Sequence, residues 1–189
     1  ISNHSNLTWI VVGDVVKKLR EAKDLNMKAI VDVQWVFMDA NYRLRPDVIT
    51  SWKNFAKSIE PYRDTIAAFY PTDEPYANGG DKGRSGNEVK TNLETVASIT
   101  KSTFPEIPVA VIFSPSEVKS SKPIPVGFDW IGFDCYGKFN DCYKDKSVTS
   151  FYNDLKGRIS GTQRLMLVPW GYKDGYVSNK DINDRNHAS

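Results

Sequence analysis

The chain has 189 residues, with 25 Lys and Arg against 23 Asp and Glu and a formal net charge of +2. That near balance, with no basic stripe, argues against a surface that tracks a phosphate backbone, so nucleic acid is not an expected partner. No apolar run reaches the roughly 20 residues a helix needs to cross a bilayer, and no signal-peptide pattern is visible. Length and a 40% hydrophobic content are enough for one domain, 1–189, with a sizeable core.

From Asp14 the pattern turns helical. Val15, Val16, Leu19, Ala22 and Leu25 share one face, Lys17, Lys18, Arg20 and Glu21 the other, and Asn26 marks the stop. Residues 27–37 (M-K-A-I-V-D-V-Q-W-V-F) read as a buried strand with Gln34 and Trp35 near its end. Pro46 and Asp47 suit a first helical turn, and Ile49, Trp52, Ala56 and Ile59 follow at helical spacing until Pro61. A second strand begins at Ile66 and ends abruptly in Y-P-T-D-E-P-Y. The Gly-rich stretch after it, N-G-G-D-K-G-R-S-G, reads as a loop long enough to form a flap.

Ser85 and Glu88 are spaced as a capping box for a helix whose apolar face is Val89, Leu93, Val96 and Thr100. Another buried strand is expected over 109–113, followed by a polar, Pro-containing loop over 114–126. The run F-D-W-I-G-F-D-C-Y-G then gives a strand ending in Asp134, Cys135 and Tyr136. A helix with Val148, Phe151, Tyr152, Leu155 and Ile159 on one face precedes a last strand over 165–168, which runs into P-W-G-Y. Helices alternating with strands this apolar imply a parallel sheet covered on both faces. No Gly-rich phosphate fingerprint follows any strand, which counts against a nucleotide-binding sheet.

The two cysteines, Cys135 and Cys142, are seven positions apart. They either close a small disulfide loop in an oxidising compartment or are independent thiols. With that loop the expected location is secreted or periplasmic. His and Cys at metal-ligand spacing are lacking, so neither a metal nor another cofactor is expected. The sequence begins at Ile1 rather than Met, as a processed or trimmed N-terminus would.

Acids at the carboxyl ends of parallel strands point into the ligand crevice. Lining up those ends collects Gln34 and Trp35, Asp73 and Glu74 with Tyr76 beyond them, Ser114, Asp134 and Tyr136, and Trp170 with Tyr172. Carboxylates beside large aromatic faces suit a glycan: sugar C–H faces stack on the rings, and one acid protonates the leaving oxygen while a second carboxylate works across the bond. Asp73 is open between catalytic partner, support and Asx-type turn former. Asp32 lies within its strand and reads as a structural partner for a buried cation or hydroxyl. Trp52 reads as core, while Trp9 and Trp130 are open.

In Y-P-T-D-E-P, F-D-C-Y and V-P-W-G-Y the chain resembles the glycoside-hydrolase-type TIM barrels. The resemblance implies an α/β fold of the (β/α)8 type. At 189 residues against the roughly 250 of a complete barrel, it would be incomplete or trimmed at its ends. It further implies a glycosidase acting on an oligo- or polysaccharide, with Glu74 as general acid and Asp73 or Asp134 as the second acid. Pro169-Trp170-Gly171 stands where the large retaining clan has its nucleophilic Glu. Two alternatives follow: a glycan-binding barrel without catalysis, and a substrate-assisted enzyme resembling the hexosaminidases, in which Asp73 orients an acetamido group.

Overall fold

A computed structural model describes residues 5–11, 13–136, 142–144 and 146–169. Its strands are β1 (Leu7–Ile10), β2 (Lys28–Asp32), β3 (Ile66–Tyr70), β4 (Ala110–Phe113), β5 (Trp130–Cys135) and β6 (Arg164–Pro169). Its helices are α1 (Val15–Asp24), α2 (Gln34–Phe37), α3 (Val48–Ile59), α4 (Pro75–Asp81), α5 (Gly86–Thr103), α6 (Pro115–Lys119) and α7 (Val148–Lys156). All strand pairs are parallel, in the order β1-β2-β3 and β4-β5-β6. The two triplets meet through the parallel bridges Phe69↔Val109 and Asp73↔Ile112. The result is an arc of a parallel α/β barrel wound in sequence order, with helices outside it.

Side chains alternate between the two faces of this arc, as the pleat requires. Ala29, Val31, Phe69, Val111, Phe113, Ile131 and Phe133 belong to the large core shared with α1, α3, α5 and α7. Trp52 sits at its centre. It stacks on Phe37 at 5.0 Å between ring centroids, meets Phe69 at 5.4 Å and Phe104 at 6.0 Å edge-on, and donates its indole N–H to Thr103 at 2.9 Å. The other face holds a smaller cluster of Ile30, Ala68, Tyr70, Ala110 and Ile112, with Trp130, Met166 and Val168 against it. Here Gly132 is obligatory, because a Cβ would lie 2.7 Å from the carbonyl oxygen of Met166.

Helices with a long apolar period form where expected. Asp14 caps α1, accepting from Lys17 N at 3.0 Å, and Asn26 ends the turn after it in a left-handed conformation, φ 54°. Ser85 caps α5, which buries Val89, Leu93, Val96 and Thr100. Four expectations are corrected. The run over 27–37 is not one strand: the Asp32 carboxylate accepts from Gln34 N at 2.9 Å, which turns the chain into α2. Ile49 is 49% exposed, and Phe55 takes the place expected of it on the buried face of α3. The Gly-rich flap begins as α4, whose Gly79 passes so close to Val89 that a Cβ would lie 2.6 Å from Val89 Cγ2. The polar loop after β4 starts as α6, closed by a reciprocal Ser114–Glu117 capping box.

Cys135 and Cys142 form a disulfide. Among the described residues no helix is long and apolar enough to cross a membrane, and no group of His, Cys, Asp and Glu has a metal-holding arrangement.

Candidate active site

The inward alternation that buries Ile30, Ala68 and Ala110 brings Asp32, Tyr70 and Asp134 to the carboxyl ends of β2, β3 and β5 on one face. Asp32 and Tyr70 are register partners across β2 and β3. The Tyr70 hydroxyl donates to Asp73 Oδ1 at 2.5 Å. Trp9 of β1 meets the Tyr70 ring edge-on at 4.7 Å and remains 37% exposed.

The segment after β3 delivers Asp73 and Glu74. Glu74 adopts φ 38° and ψ 58°, left-handed values that cost a non-glycine residue about 1–3 kcal/mol. Neighbouring bonds fix it there. Its N–H donates to Ile112 O at 3.1 Å, its carbonyl accepts from Asn78 N at 2.9 Å, and Asn78 Nδ2 donates to Asp73 O at 2.8 Å. In this conformation the Glu74 carboxyl lies within the electrostatic reach of Asp134.

Acids so close disfavour one another's charge. Burial pushes the Glu74 carboxyl up to about 7, with the charges of Asp134, Asp73 and Glu117 adding to the effect. Asp134 is 2% exposed, and burial raises its carboxyl too. Burial and the three surrounding negative charges together favour the protonated form of Glu74. Asp134 Oδ1 has no hydrogen-bond partner among the described residues. The Tyr136 phenol, on a residue 51% exposed, bonds Asp134, and burial followed by that bond raises it. Asp32 is raised by burial and by the charge of Asp73.

Of the residues singled out from sequence, Glu74, Asp73, Asp134 and Tyr136 come together. Gln34 stands nearby, beside the half-buried Tyr42 phenol, which is raised by burial and lies within the field of Asp73. Tyr76 does not join: its ring stacks on Phe113 in the outer core at 6.1 Å, and its hydroxyl donates to Pro123 O at 2.7 Å. Nor does Trp35, which is 42% exposed and lies edge-on to Phe55 in a surface groove with Arg45 and Asn54, on the helical side. Trp170 and Tyr172 lie outside the described residues. Asp32, Tyr42, Tyr70 and Trp9 are the members that sequence reasoning did not assign. Strand alternation could have found Asp32, two positions from Ile30. No sequence signal marks Tyr42, which reaches the site from a loop with φ 57°.

No protein-family model and no curated protein matches the chain. Solved structures do. A beta-glucuronidase from Bacteroides uniformis superposes with a TM-score of 0.56 at 13% identity over 87% of this chain and 20% of its own. An endo-beta1,6-glucanase gives 0.55 at 13% identity over 93% and 46%. The intracellular xylanase of Thermoanaerobacterium saccharolyticum gives 0.51 at 11% identity over 95% and 70%. The fold is that of glycoside-hydrolase barrels. This chain spans only 20%, 46% and 70% of the length of these three structures, and identities this low establish the fold alone.

Proposed function

We propose that the chain carries the acid-bearing part of a glycosidase, with Glu74 as the general acid. The observation that carries this reading is the place of Glu74: a carboxyl pushed up to about 7 stands at the strand ends within the field of the buried Asp134. A general acid must hold its proton near the working pH and release it to the leaving oxygen as the bond breaks. The unpartnered Asp134 Oδ1 offers a sugar hydroxyl an acceptor. Asp134 is assigned the role of keeping the proton on Glu74 through its charge, and the second carboxylate falls to the exposed Asp73 held by Tyr70. Trp9, Tyr42 and Tyr136 supply aromatic surface for ring stacking. The glycoside hydrolases among the structural neighbours support an oligo- or polysaccharide as substrate, and the disulfide fits an oxidising, extracellular setting.

The test is Glu74→Gln, assayed on a panel of aryl glycosides and oligosaccharides beside the parent chain. The expected loss of turnover is about 10²–10⁴-fold with an unchanged circular dichroism spectrum. Parent activity should fall as pH rises through about 7, because Glu74 then loses the proton it must give. Retained turnover in the variant overturns the assignment. Oligosaccharide binding by the parent with no product over long incubation would favour a glycan-binding barrel.

A further inference from the structure

Glu117 is 3% exposed, yet it is a carboxylate. Its place in the capping box accounts for one oxygen only: Oε2 accepts from Ser114 N, closing the N-terminus of its own helix, α6. The other oxygen leaves that helix. Glu117 Oε1 accepts from Tyr76 N at 2.6 Å and Ala77 N at 2.9 Å, in the first turn of α4, about 40 positions earlier in the chain. A single side chain thus satisfies the leading N–H groups of two helices.

The reason α4 needs outside help lies in the residue before it. Glu74 occupies the N-cap position of α4, where a side chain ordinarily turns back to accept from the first turn. Its side chain makes no such bond and stands instead within the field of Asp134. Without Glu117 the N–H groups of Tyr76 and Ala77 would lack that acceptor, and the carboxyl best placed to serve them is that of Glu74 itself. A glutamine at 117 could complete the box. Its amide, however, carries an acceptor at one end and donors at the other, so it cannot receive from both helices as a carboxylate does.

We propose that Glu117 is a positioning residue of this site: it caps α4 in place of Glu74 and so leaves the Glu74 carboxyl free to face Asp134. The role rests on the reading of Glu74 as the acid only for its catalytic consequence; the clamp itself is a property of the fold. Supporting it, Tyr76 is anchored at its far end to Pro123 O, and Arg158 donates to Val118 O and Lys122 O, so the α6 segment is braced against α7. The charged groups that act on Glu74 are Asp134 of β5, Asp73 beside it and Glu117 of α6, all negative, and Glu117 contributes to holding the proton on Glu74.

The experiment follows the Glu74 carboxyl by ¹³C NMR titration in the parent, in Glu117→Gln and in Ser85→Ala. The last removes an unrelated helix cap, that of α5, and controls for lost stability. Glu117→Gln is expected to lower the Glu74 midpoint and reduce kcat at least tenfold with little change in KM, while Ser85→Ala moves neither. An unmoved midpoint in Glu117→Gln overturns the proposal. Should that variant fail to fold, the parent decides: the amide protons of Tyr76 and Ala77 must shift with the titration of Glu117, and amides indifferent to it overturn the clamp. The carboxyl titration needs no substrate, so it judges Glu117 even if Glu74→Gln retains turnover and the glycosidase reading fails.

Discussion

The two faces of the sheet use the same backbone for opposite ends. The helix-facing side is hydrocarbon along its whole length, from Ala29 and Val31 through Phe69 to Ile131 and Phe133. The inner side is hydrocarbon only in its lower part, at Ile30, Ala68 and Ala110, and then turns to Asp32, Tyr70 and Asp134 at the strand ends. Stability is concentrated on one side and buried charge on the other. Acids stay where burial raises them because the opposite face supplies the free energy that holds the strands in place.

If that division is right, the largest effect belongs to the helix-facing side. Trp52→Ala should cost about 3–5 kcal/mol in chemical denaturation, since the ring is fully buried among Phe37, Phe69 and Phe104. Gly79→Ala should cost about 1–3 kcal/mol by forcing a methyl group into Val89. The inner side should respond with the opposite sign. Burial raises Glu74 from its ordinary 4.5 to about 7, so across that window the native state binds more protons than the unfolded one and stability falls as pH rises. Glu74→Gln should therefore melt above the parent at pH 8 and level with it at pH 4. A variant that melts below the parent at pH 8 would break the comparison. The smallest effect is Ile49→Ser, within about 0.5 kcal/mol of the parent, because that side chain is mostly in water.

How far these faces were legible from sequence depended on what sets each element. Period alone was enough for α1, α5 and α7 and for the strands from Ile66, Ala110 and Trp130, since each buries a repeating apolar stripe. It failed at α2, α4 and α6, which are four to seven residues long and are set by local or tertiary bonds rather than by a stripe. The Asp32 carboxylate turns the chain into α2, and Glu117 closes the start of both α4 and α6. The same limit shaped the site. The places of Glu74, Asp73 and Asp134 at the carboxyl ends of their strands follow from the sequence, because an apolar run that breaks into acids marks such an end. Trp35 was misplaced because an apolar run does not reveal where a strand stops. Tyr42 went unseen because its approach depends on a left-handed loop.

The segment bearing Asp73 and Glu74 is also a stitch. Asp73 bridges to Ile112, Glu74 N–H donates to Ile112 O, and with the Phe69↔Val109 bridge these join one strand triplet to the other. A molecule gripping the two acids would pull on that joint, so occupancy of the mouth and cohesion of the arc should rise and fall as one quantity.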